Sequence, residues 1–372
     1  MAASLAAALL GVSSLDLAPL VAASGVIFRA WLVGVLVRYK DVREPLGKRM
    51  RRRNACRLLA SIALLASAVA VEARAQAPEY PAQRITIVAG FAAGGSVDAI
   101  ARVIAEKLQE RWGRPVVVEN RTGATGNLAA AAVARANPDG HTLLFTATGV
   151  AINQSLYENP GFSISDLAPI SFAAVNGVVF AVNPKHPART LAEFVRSGKS
   201  FVFGTAGTGS GAHITAEYFF KVLAKVEAVH TPYQSGAQAA TALLGGHIDL
   251  ISVAQPDAAA HARQGALRAL AVSGAQRSDA LPDVPTFAEA GFPGFSASGW
   301  IALFVPARTS PEIAAKLNGA VNEILQRPDV RQRLDAVGFV PNTQSLDGAA
   351  DFLRAELDNW GRMVRAIGLT IK

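Results

Sequence analysis

The stretch Arg84-Ile85-Thr86-Ile87-Val88-Ala89-Gly90-Phe91-Ala92-Ala93-Gly94-Gly95-Ser96-Val97-Asp98 sets the reading of the whole chain. Its first six residues are a β-branched apolar run, the composition of a strand buried on both faces. Gly90–Ser96 is a turn of small residues. From Val97 to Trp112 the positions Ile100, Val103, Ile104 and Leu108 recur at helical spacing. Strand, small turn and helix in succession form the repeating unit of an α/β sheet.

Outward from this stretch the unit recurs. Pro115–Glu119, His141–Thr146, Phe201–Thr205, Ala228–Tyr233, Ile248–Val253, Leu267–Ser273 and Trp300–Val305 read as strands. Leu128–Ala136, Ile214–Ala224, Ala237–Leu244, Pro311–Gln326, Pro328–Val337 and Gly348–Ala366 read as helices. The alternation predicts an α/β fold with parallel-rich sheets covered by helices on both faces.

Three turns share one design, a buried strand running into small Gly- or Thr-rich residues that open a helix. They are Phe91–Ser96, Thr146–Gly149 and Gly204–Gly211. Glycine lets the backbone approach a ligand, and a helix N-terminus adds unpaired N–H donors and partial positive charge. Such a turn can hold an anion without Lys or Arg. A single one is explained by packing alone. Three at the carboxyl ends of parallel strands mark the edge where α/β proteins bind ligands.

The chain has 372 residues, 36 Lys+Arg, 28 Asp+Glu and one cysteine, for a formal charge of +8. Residues 1–75 hold eleven of the basic and four of the acidic residues, a net of +7, and also Cys56. The 297 residues that follow carry 25 basic and 24 acidic side chains, so nothing there favours a nucleic-acid partner. Met50-Arg51-Arg52-Arg53, the uncharged run Leu58–Val71 and Ala73-Arg74-Ala75 have the three parts of a cleavable export signal. Cleavage is expected after Ala75, releasing the chain into the periplasm. Residues 1–49 are either a membrane anchor or lie upstream of a true start at Met50; the complete signal favours the second.

Catalytic signatures come close and fail. Gly198-Lys199-Ser200 lacks the P-loop glycine at position 193, which is Glu. Neither Ser96 nor Ser210 sits in a G-x-S-x-G elbow. Gly207-x-Gly209-x-x-Ala212 fits a relaxed dinucleotide fingerprint, but Tyr233 stands where its acidic partner should end the next strand. An α/β nucleotide enzyme is therefore the rival reading. The six histidines show no metal-ligand spacing, and no metal or cofactor is expected. Asp98 and Arg102 are spaced to pair along a helix, or Asp98 can stiffen the first turn.

Several motifs together resemble the tripartite tricarboxylate transporter solute receptors, also called Bug proteins. They are Phe91–Ala101 with Arg102, Val118-Glu119-Asn120-Arg121, Gly123-Ala124-x-Gly126-Asn127, and Ala136-Asn137-Pro138-Asp139-Gly140. Thr231-Pro232-Tyr233, Leu244-Gly245-Gly246-x-x-Asp249 and Leu281–Gly291 complete the set, which spans Tyr80–Leu369. The resemblance implies a two-lobed periplasmic-binding-protein-like fold of type II, with the chain crossing between lobes near Val175–Val182 and Trp300–Val305. One lobe would comprise 76–176 with 302–372, the other 177–301. It also implies a monomeric receptor, not an enzyme, that closes like a flytrap on a small carboxylate and delivers it to membrane transporter subunits. A carboxylate sensor feeding a signalling partner is the other alternative. The candidate ligand residues are Phe91, Ala93, Gly94, Gly95, Ser96 and Asp98, then Thr146 and Thr148, then Thr205, Gly207, Thr208, Gly209 and Ser210. His213, Tyr233 and Asp257 stand beside them, Asp257 as a partner for a ligand ammonium or as a helix cap. Gly90 replaces the usual proline, and Gln234-Ser235 replaces Lys-Gly after Tyr233.

Overall fold

The computed structural model describes residues 80–371 apart from positions 199, 294 and 337. The expected signal segment Met50–Ala75 and the residues before it lie outside the described residues.

The chain begins with β1 (Ile85–Ala89), α1 (Ser96–Trp112), β2 (Val116–Asn120), α2 (Asn127–Ala134), β3 (Thr142–Ala147) and α3 (Gly149–Leu156). The long β4 (Leu167–Val182) leads to α4 (Leu191–Arg196), β5 (Ser200–Thr205), α5 (Gly211–Tyr218), β6 (Glu227–Pro232) and α6 (Gly236–Leu244). Then come β7 (Leu250–Ala254), α7 (Gln255–Arg263), β8 (Arg268–Val272) and β9 (Ser298–Pro306). The chain closes with α8 (Pro311–Gln326), α9 (Pro328–Ala336), β10 (Val340–Pro341) and α10 (Leu346–Ile367). Helix α1 buries Ile100, Ile104 and Leu108 as their spacing requires, and stops at Gly113, whose φ of 62° forms a left-handed C-terminal cap.

The strands lie in the order β2-β1-β3-β9-β4-β7-β5-β6, with β8 and β10 also paired to β4. Residues Leu167–Gly177 of β4 pair with β9, and from Val178 onward the same strand pairs with β7 and β8. One strand thus joins two strand groups, each with apolar cores on both faces. Among the described residues, β1–β2, β1–β3, β5–β6 and β5–β7 are parallel. Every antiparallel ladder involves β4 or β9, the strands that carry the chain across and back.

The sequence pattern hid β4, because Pro169, Asn176 and Gly177 interrupt its apolar run. The structure absorbs the proline with register shifts between Pro169 and Ala174, since proline cannot donate to the ladder. Helix α10 spans both groups. Its Ala349 and Leu353 pack with Phe172, Trp300 and Phe304, whereas Trp360, Met363, Val364 and Ile367 pack with Phe180 and Phe219. Between these faces one oxygen of Glu356 accepts hydrogen bonds from Trp300 Nε1 at 2.9 Å and Trp360 Nε1 at 2.8 Å. Burial pushes the Glu356 carboxyl up from its ordinary value.

Candidate functional site: three turns at the strand ends

The turn after β1 is exposed from Ala92 to Ser96, while Phe91 is half-buried. It is held from the side. Asp98, 3% exposed, accepts from Gly94 N at 2.9 Å, Arg102 Nε at 3.0 Å and Asn120 Nδ2 at 2.8 Å. Asn120 also donates to the Phe91 carbonyl at 3.0 Å. The guanidinium of Arg102, with these amide donors, draws the Asp98 carboxyl down to about 2. Asp98 is therefore a clamp on the turn, and its side chain faces protein donors.

The turn after β3 buries both of its threonines. Thr148 Oγ1 accepts from Trp300 N at 2.8 Å, and Thr148 N donates to Trp300 O at 3.1 Å, so this hydroxyl ties the turn to β9. Thr146 Oγ1 has no hydrogen-bond partner although the residue is fully buried. It lies against the backbones of Gly90 and Gly126, where an added Cβ would fall 3.0 and 2.7 Å from it.

The turn after β5 is held from beneath. Gly207 O accepts from Thr205 Oγ1 at 3.2 Å and Ser210 Oγ at 2.9 Å, and Gly209 N donates to His213 Nδ1 at 3.1 Å. The hydroxyl of Thr205 also meets His230 Nε2 at 2.7 Å. His230 stacks on His213 with ring centroids 3.9 Å apart, and burial, then the neighbouring imidazole, push it down to about 4. Glu217 lies 3.7 Å from His213 Nε2 and 2.7 Å from Lys221 Nζ. Burial opposes its charge, but these two groups prevail and hold it at about 2. Thr208, at the tip, is exposed. The ring of Tyr233 packs on Gly204, where a Cβ would fall 2.9 Å from it. Asp257 folds against Gly236 on the first turn of α7, and the surrounding protein raises its pKa.

The turn after β5 meets the segment after β2 and helix α3, through Thr125, Asn153 and Leu156, which the sequence did not single out. A Cβ on Gly209 would lie 2.9 Å from Leu156 Cδ2, 3.7 Å from Asn153 Oδ1 and 3.8 Å from Thr125 Oγ1. Asn153 Nδ2 donates to Ala124 O at 3.1 Å and Asn127 Oδ1 at 2.8 Å, leaving its buried Oδ1 unpartnered. Ala124 and Thr125 have φ of 44° and 53°, a left-handed pair rare outside glycine and held here by surrounding contacts. The flanking Gly123 and Gly126 were a legible signal for this tight segment; the buried asparagine on α3 was not.

Side-chain capping sets most of the other helices apart from these, although α7, with Ala254 as its N-cap residue, also lacks a side-chain cap. Ser or Thr side chains cap α4, α5, α6, α8 and α10. Helices α1, α2 and α3, which follow β1, β2 and β3, have no side-chain cap, and their N-cap residues are Gly95, Gly126 and Thr148. Their first N–H groups therefore lack the usual side-chain acceptor at the edge where the three turns gather.

Among the described residues no group of His, Cys, Asp and Glu is arranged to hold a metal. The profile of the tripartite tricarboxylate transporter family receptor matches residues 100–369. BugT of Bordetella pertussis is 35% identical, with 86% of this chain and 100% of that protein aligned. An R. palustris protein solved with adipate superposes with a TM-score of 0.71 at 28% identity, covering 78% of this chain and 99% of that one. MatC from Rhodopseudomonas palustris with bound malate gives 0.69 at 31% identity, covering 77% and 100%. These matches span the strands, turns and crossings described above, and by them the chain belongs to the tripartite tricarboxylate transporter receptor family, whose members are periplasmic binding proteins.

Proposed function

We propose that the protein receives a small mono- or dicarboxylate between two lobes, 76–176 with 302–372 and 177–301, and passes it to membrane transporter subunits. The observation that carries this reading is the set of three uncapped helices at one strand edge, beside the unpartnered hydroxyl of Thr146. A carboxylate can accept from those N–H groups and from Thr146 without a basic side chain. The exposed Thr208 hydroxyl adds a donor from the other lobe, and Gly209 against Thr125 and Asn153 gives the lobes a contact on closing. Binding favours closure because only then do both lobes contribute. The family consists of receptors, so no bond is made or broken and the nucleotide-enzyme alternative falls. Export follows from cleavage after Ala75, and the mature chain acts as a monomer.

Gentle purification followed by mass spectrometry of the released small molecules tests the reading, with malate and adipate titrated calorimetrically as probes. A co-purified carboxylate, or saturable binding of either probe, is expected. A bound nucleotide in its place overturns the proposal.

A further inference from the structure

We infer that Glu356 is a positioning residue of the site, the shared acceptor that sets the turns after β3 and β5 at a fixed spacing, on the reading that both turns meet the ligand. Trp300 and Trp360 are 1% and 0% exposed. They belong to different cores, Trp300 with Phe172 and Phe304, Trp360 with Phe180 and Phe219. An indole has one polar hydrogen and no acceptor, so each ring needs a partner where water is excluded. Both use the same atom. One oxygen of Glu356 receives Trp300 Nε1–H at 2.9 Å and Trp360 Nε1–H at 2.8 Å, which fixes the distance between the two rings.

Each ring is joined in turn to one of the two turns. Trp300 N donates to Thr148 Oγ1 at 2.8 Å and Trp300 O accepts from Thr148 N at 3.1 Å, so this backbone holds the N-cap residue of α3. Phe172 steadies the Trp300 ring edge-on, with centroids 4.9 Å apart. On the other side Trp360 packs on the first residue of α5, where a Cβ on Gly211 would fall 3.6 Å from its Cη2. Gly211 follows Ser210, whose hydroxyl closes the Gly207–Ser210 turn by accepting from His213 N at 3.2 Å. Glu356 stands between Leu353 and Trp360 on α10, where this one helix passes from the first core to the second. Without its carboxylate two buried N–H groups lose their acceptor at once, the costly way to break a hydrogen bond. Each ring then settles in its own core, and the turns lose their common reference.

Hydrogen exchange of the Thr148 and His213 amides in 15N-labelled protein tests this without any ligand, with the amides of α1 as the control. In Glu356→Leu, protection should fall about tenfold at both amides and hold in α1. Glu356→Gln, whose side-chain oxygen still accepts two donors, should restore both. Trp300→Phe and Trp360→Phe each remove one donor and should loosen only Thr148 and only His213, respectively. A loss confined to one turn in Glu356→Leu, no recovery in Glu356→Gln, or single-donor variants that loosen the wrong turn overturns the inference. Malate and adipate affinities measured in parallel should fall about tenfold in Glu356→Leu and return in Glu356→Gln. If the amides respond as expected while affinity is unchanged, or the wild type binds neither probe, the positioning role stands and the ligand reading of these turns falls.

Discussion

The turns Phe91–Ser96 and Gly207–Ser210 occupy equivalent places, each between a buried strand and a helix, yet they are made rigid by opposite means. The first is exposed and is clamped from the side by ionised Asp98 with Arg102 and Asn120, and the helix it opens has no cap. The second is capped by Ser210 and held from beneath by His213, whose Nδ1 takes up the Gly209 N–H. A lateral clamp leaves helix N–H groups open to an anion. A cap with a buried acceptor uses those donors up, so the second turn offers shape and the Thr208 hydroxyl instead. On the proposed reading, the two turns would contribute different chemistry to one ligand.

The most disruptive way to break this comparison is Gly209→Asp. It places a side chain at φ 79°, against Leu156, and sets a like charge facing the carboxylate. We expect malate or adipate affinity to fall about 100-fold or more by calorimetry, since like-charge contacts cost several kcal/mol. Unchanged affinity removes this turn from the site. Asp98→Ala is the next test, because it leaves Gly94 N and the Asn120 amide without their acceptor. A loss of about 1–3 kcal/mol in urea unfolding is expected, with probe affinity reduced about tenfold, the equivalent of about 1.4 kcal/mol. A stable variant with intact affinity would show that the clamp is not what shapes the first turn.

The smallest effect is a pH signature that tells the two turns apart. His230 holds its proton only below about 4, whereas an unfolded histidine does so below about 6.5. The unfolded chain thus binds the extra proton in this window, and stability should decline as pH falls from about 6.5 to about 4. Asp98 behaves differently. Its contribution is complete above its unfolded value near 4 and is lost only as pH falls toward about 2. Thermal melts of the wild type and His230→Gln should diverge in the upper window, and those of Asp98→Asn only in the lower. Parallel curves for His230→Gln contradict the lowered His230 pKa.

Much of this architecture is legible in residue order. The helix Pro311–Gln326 has the bounds its spacing predicts, and α1 begins within one residue of its expected start. The three Gly- and Thr-rich turns do lie at strand ends. Even the capping contrast is written in the chain, since Ser210, Ser235, Ser310 and Ser345 precede capped helices while Gly95 and Gly126 precede uncapped ones. Asn120 and Asn153 were harder to find, because an asparagine's role depends on which carbonyl or carboxylate stands opposite.

Periodicity and turn chemistry act over a few residues, so strand, turn and helix units, family membership and the confinement of positive charge to residues 1–75 follow from the linear chain alone. Folding decided the rest. It split β4 between two sets of partners and laid α10 across both cores. It turned Thr148 toward Trp300 and His213 toward Gly209, while leaving Thr146 unpartnered. Whether a donor is free for a ligand depends on acceptors that can lie as far as 152 residues away, as Thr148 and Trp300 do. Only tertiary packing brings such groups within hydrogen-bond reach.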